Sequence, residues 1–259
     1  MIMNRLDTLF ATKSNNILNI YCTAGFPKLD STTDVMLALQ QHGADIIELG
    51  IPYSDPVADG PVIQQSNMQA LENGMTIEVL FAQLHSIKEQ LHIPVILMGY
   101  INPVLQYGME NFCKAAAGCG VSGIILPDLP MYEFEKKYKI LFEKYSLHAI
   151  FLISPLTSNE RIKKADELSG GFIYAVSSSA TTGSVNVTED RSVYFTKIQN
   201  MQLRNPVLIG FGIKDKTSFD QAASHAAGAI IGTAFIQHIA DAADINGATA
   251  AFISAIHGN

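Results

Sequence analysis

Eight short apolar runs recur along the chain: NILNIYC (16–22), ADIIELG (44–50), IPVILMG (93–99), VSGIILP (121–127), HAIFLIS (148–154), GFIYAVS (171–177), NPVLIGF (205–211) and AGAIIGT (227–233). They are nearly continuous rather than alternating, which is the pattern of strands covered on both faces in a parallel sheet. Between them lie segments with helical period, such as STTDVMLALQQHG and YEFEKKYKILFEKY. Ser31 and Asp34 have the spacing of a capping box, and Gly43 stands where a helix would stop. MIMNRLDTLFATKSNN at the N-terminus reads as a short amphipathic helix. Eight strand–helix units without a linker predict an α/β fold: a single (β/α)8 TIM barrel over 1–259, with an N-terminal helix and extra helices after strands 2 and 8. A doubly wound open sheet usually has fewer strands, and no G-x-G-x-x-G follows the first run.

The spacing of the runs is uneven, and the step from position 44 to position 93 is nearly twice most others. It contains IIELGIPYSDPVADGPVIQ (46–64) and two predicted helices, roughly 61–73 and 76–91. Barrel active sites sit on loops at the C-terminal ends of strands, so this enlarged connection is the first place to look. Strand side chains alternate, so Ile47 and Leu49 share the helix-facing side while Glu48 points into the barrel near its mouth. No Lys or Arg occurs in any of the eight runs to pair with it. A buried, unpaired carboxylate is costly, so the pKa of Glu48 should rise and leave the group ready to exchange a proton. Asp59 follows in a loop stiffened by Pro52, Pro56 and Pro61. Asp-Pro and Asp-Gly are also ordinary turn chemistry, so the pair carries the expectation rather than either acid alone.

Two glycine-rich stretches follow the last two runs: GFGIKD, with Gly210 and Gly212, and GTAFIQ, with Gly232 and Thr233. Barrels often hold phosphate at these loops, because glycines let backbone N–H groups approach the oxygens and a helix N-terminus adds positive partial charge. A phosphorylated small molecule is therefore the expected ligand. SSSATTGSVNVTED (177–190), small and polar, reads as a lid. No run carries a lysine for a Schiff base, and none of the seven histidines ends a strand, so no metal site is visible. Acid–base chemistry without a cofactor remains.

Composition narrows the partners. The net charge of −7 comes with no basic stripe, which argues against nucleic acid. No apolar stretch reaches the roughly 18 residues of a membrane span, and the N-terminus lacks a secretory apolar core. Three unpaired cysteines, Cys22, Cys113 and Cys119, fit a reducing compartment. A cytoplasmic protein is expected.

The stretch E-L-G-I-P-Y-S-D-P-V-A-D-G-P-V-I-Q closely resembles the signature of the tryptophan synthase α chain family. So do Y-C-T-A-G-F-P (21–27), L-M-G-Y-I-N-P-V (97–104), L-P-D-L-P (126–130), the T-T-G loop, G-F-G-I and the final I-G-T-A. The resemblance implies cleavage of indole-3-glycerol phosphate to indole and glyceraldehyde 3-phosphate. It also implies an α2β2 heterotetramer whose β chain, and not this chain, carries pyridoxal phosphate. Carried over by position, Glu48 and Asp59 are the catalytic acids. Tyr21, Tyr174, Thr182 and Gly183, with Gly210, Gly212, Gly232 and Thr233, fall at substrate positions. Asp55, Pro56, Tyr100, Asn102 and Pro103 lie on loops facing the β chain.

Overall fold

The computed structural model describes residues 4–176, 187–210 and 212–258, with only the backbone of 187–192. Every strand pairing within them is parallel, as the continuous apolar runs predict. The strands are β1 (Ile17–Thr23), β2 (Ile46–Gly50), β3 (Val95–Met98) and β4 (Gly123–Ile125), then β5, β6 (Ile173–Val176), β7 (Val207–Gly210) and β8 (Gly228–Ile231). Strand β5 comes in two pieces, His148–Ala149 and Leu152–Ile153, where the sequence predicts one run. Its first piece pairs with β4 and its second with β6. The linear strand order therefore begins and ends on this one segment, and the sheet closes into a barrel. Bonds on both sides bridge the gap: the Ile150 N–H donates to the Ile124 carbonyl at 3.1 Å, and the Tyr174 N–H to that of Phe151 at 3.1 Å.

The extra helices stand where predicted. After β2 come α3 (Pro61–Glu72) and α4 (Ile77–Ile87), and after β8 come Thr233–Ile239 and Ile245–His257. Helix α1 (Arg5–Thr12) stoppers the N-terminal end of the barrel with the fully buried Leu6, against Gly123 and Gly171. His148, at the start of β5, bonds Asp7 of α1 at 2.8 Å, so it serves the closed end. No helix among the described residues is long and apolar enough to cross a membrane.

Two local expectations need correction. Helix α2 (Ser31–His42) does stop at Gly43, whose φ is 103°, but the Ser31–Asp34 capping box is absent. Ser31 is the first helical residue, and its hydroxyl accepts the Lys28 N–H at 3.3 Å instead. Asn102 and Pro103 lie not in a loop but in the first turn of helix α5 (Ile101–Tyr107), where proline costs no intrahelical bond. Its start is capped from the loop after the neighbouring strand β4 by Asp128, whose carboxylate accepts the Ile101 N–H at 2.9 and 3.1 Å.

Candidate active site

Glu48 and Tyr21 sit side by side in the register of β1 and β2, both inside the barrel. Glu48 has 0% exposure and no ion-pair partner among the described residues; its Oε2 accepts one hydrogen bond, from Asn19 Nδ2 at 3.0 Å. Burial pushes its pKa up to about 8, against the lowering effect of the Asn19 amide and with a smaller push from the charge of Asp59. At neutral pH this carboxyl holds its proton, as its place in an apolar strand requires.

Asp59 reaches the same space from the loop after β2. That loop is tied at its far end, where α3 is anchored to β1 by Thr23 Oγ1 and Ser66 Oγ at 2.7 Å. The Asp59 N–H donates to the Pro56 carbonyl at 3.0 Å, and its Oδ2 accepts the Tyr100 hydroxyl at 3.1 Å. Partial burial lifts its pKa to about 6, opposed by the Tyr100 bond. The two acids are thus held on opposite sides of neutrality, an arrangement suited to one donor and one stable anion.

They share the wall of a cavity of about 460 Å³ with Tyr21, Tyr174, Met98, Gly212, Lys214, Gly232, Thr233 and Gln237. Its wall takes the acids from β2 and the loop after it, and Gly212, Lys214, Gly232 and Thr233 from the segments after β7 and β8. Burial, with the negative charges of Asp59 and Glu48, holds the phenols of Tyr21 and Tyr174 well above their ordinary pKa, so both remain neutral. Gly210 is not on the cavity wall. A Cβ there would run into the Tyr174 hydroxyl, and one on Gly50 into that of Tyr21, so each glycine makes room for a tyrosine crossing its strand end. Gly210→Ala should therefore displace Tyr174 and lower kcat/KM by on the order of tenfold, with a stability cost of about 1–3 kcal/mol. Steady-state kinetics and a thermal melt check this, and unchanged values would separate Gly210 from the site.

Among the residues expected to face a partner, Asp55, Asn102 and Pro103 gather on one shallow groove of about 560 Å³ with Tyr53, Thr76 and Gln106. Pro56 is buried. Tyr100 is 5% exposed, its ring tilted against Tyr53 with centroids 5.2 Å apart and its hydroxyl bonded to Asp59, so it belongs to the acid cluster; it is not among the residues lining that groove. Thr182 and Gly183 lie outside the described residues. Three groups at the site escaped the sequence reading: Asn19 behind Glu48, and Lys214 and Gln237 on the cavity wall. Asn19 is a polar letter inside an apolar run and shares the inward face with Tyr21, the signal that singled out Glu48. Gln237 lies one helical turn beyond Thr233. Among the described residues, no group of three or more His, Cys, Asp or Glu could hold a metal ion.

A closed β/α barrel with two carboxylates of divided pKa in a mouth cavity defines a barrel enzyme equipped for proton transfer. The family model described as tryptophan synthase alpha chain matches residues 8–257. The tryptophan synthase alpha chain of Flavobacterium johnsoniae is 51% identical over 243 residues, covering 92% of this chain and 94% of the relative. That of Bacteroides thetaiotaomicron is 48% identical over 235 residues, covering 90% and 92%. Among solved structures, tryptophan synthase subunit alpha from Legionella pneumophila has a TM-score of 0.88 at 32% identity, covering 99% of this chain and 98% of that one. The tryptophan synthase complex from Pyrococcus furiosus gives 0.84 at 29% identity, covering 95% and 100%. The chain belongs to the tryptophan synthase alpha chain family, and it is an enzyme, a lyase.

Proposed function

We propose that this chain cleaves indole-3-glycerol phosphate to indole and glyceraldehyde 3-phosphate in tryptophan biosynthesis, as one cytoplasmic domain over 1–259. The observation that carries the reading is Glu48, a carboxyl that keeps its proton at neutral pH on the wall of a cavity shared with Asp59. Glu48 gives its proton to C3 of the indole ring. The positive charge spreads onto the ring nitrogen, where ionised Asp59 accepts the N–H and stabilises the cation. Glu48, now a carboxylate, takes the proton of the glycerol hydroxyl as the carbon–carbon bond breaks, so no proton is gained or lost overall. Gly212, Gly232 and Thr233 hold the phosphate, Tyr21 and Tyr174 flank the ring, and Thr182 and Gly183 belong to the closing lid.

The groove with Asp55, Asn102 and Pro103 supports docking of a β chain in an α2β2 assembly. Pyridoxal phosphate would reside in that partner. The direct test is indole formation from indole-3-glycerol phosphate, with and without a β chain; no indole even with the partner present would sink the reading.

Activity should be bell-shaped in pH. Glu48 acts as the acid and fails as pH rises past about 8, while Asp59 acts as an anion and fails as pH falls past about 6. The pH dependence of kcat/KM, which reports the groups of the free enzyme, checks both limbs. Stability carries the same signature: between about 4.5 and about 8 the folded chain holds a proton on Glu48 that the unfolded chain has released. That contribution is complete below about 4.5 and is lost as pH rises through about 8.

A further inference from the structure

We infer that Asn19 is a positioning residue for Glu48: its amide ties down one carboxyl oxygen and so leaves the other to carry the working proton. Asn19 has 0% exposure on β1, and its Nδ2 donates to Glu48 Oε2 at 3.0 Å. Glu48 Oε1 has no hydrogen-bond partner among the described residues. With Oε2 engaged as an acceptor, the proton of the neutral acid sits on Oε1, the oxygen left for a substrate in the cavity. Buried carboxyl groups without such a tether sample other rotamers, and a proton aimed at one ring carbon cannot tolerate that. A polar side chain in a strand core is costly, and this one has its own Oδ1 unpartnered among the described residues, so its single bond to Glu48 is its evident use. The titratable groups facing Glu48 are Tyr21 from β1, Asp59 from the loop after β2, and Tyr174 from β6; Cys22 lies on the opposite face of β1, beside Leu49, within electrostatic range. Burial and the charge of Asp59 favour neutral Glu48, and the Asn19 amide alone favours its charged form, which the second proton transfer needs.

The inference builds on the acid–base reading of Glu48, so Asn19→Leu is compared with Glu48→Gln in the same assay. Asn19→Leu should lower kcat by on the order of tenfold or more, with KM within about threefold. The Glu48 carboxyl, followed by 13C NMR and assigned by its loss in Glu48→Gln, should titrate at higher pH, and the alkaline limb of kcat/KM should move with it. If Asn19→Leu does not fold, Asn19→Asp keeps the shape, and the introduced carboxyl and that of Glu48 should titrate as a coupled pair in two separated steps. A Glu48 titration and kcat unchanged in the folded variants would overturn the role of Asn19, leaving the acid–base reading intact provided Glu48→Gln is inactive. An active Glu48→Gln would overturn the acid–base reading itself.

Discussion

Glu48→Gln is expected to lose indole formation by about 10²- to 10⁴-fold in kcat, the range that removal of a positioned proton donor and acceptor gives. Glutamine has the same shape, and its carbonyl can still accept the Asn19 amide that Glu48 Oε2 accepts at 3.0 Å. Substrate affinity should therefore barely change. Because the buried carboxyl titrates near 8, the neutral amide should also make the protein more stable than the parent at alkaline pH. Three measurements then agree or conflict: kcat, KM and the melting temperature above pH 8. Activity within about tenfold of the parent, or ~1.4 kcal/mol of barrier, would remove Glu48 from the reaction.

Asp59→Asn should lower kcat by about 10²- to 10³-fold, the loss found when one preorganised electrostatic partner of a transition state is removed. Asparagine can still accept the Tyr100 hydroxyl that Asp59 accepts at 3.1 Å, so the loop keeps its anchor and only the charge disappears. The acid limb near 6 should vanish from the residual activity. Unchanged kcat with a raised KM would mean that Asp59 binds substrate without stabilising the cation.

Much of the site was legible in one dimension because its signals are local. Glu48 stands out as an acid in an apolar run, and strand alternation alone puts it inside. Gly212, Gly232 and Thr233 follow the last two strands, where the fold places an anion site, and all three do line the cavity. The less legible features depend on what approaches from elsewhere. Gly210 reads as a ligand contact, yet its space is taken by Tyr174 from the neighbouring strand β6. Tyr100 reads as part of an outward loop, yet Asp59 and Tyr53 hold it in place from another connection.

The order of apolar runs and helical segments by itself determined the eight strands, their parallel pairing and the extra helices after the second and last. Each of those follows from short-range periodicity and from the need to cover both faces of a parallel sheet. Closure of the sheet through a divided fifth strand, the Asp128 cap on α5, the Asn19–Glu48 bond and the division of the two acids about neutrality were decided only in three dimensions. Hydrogen bonds and desolvation act between residues far apart in the chain, and no local pattern of letters records which of them will meet.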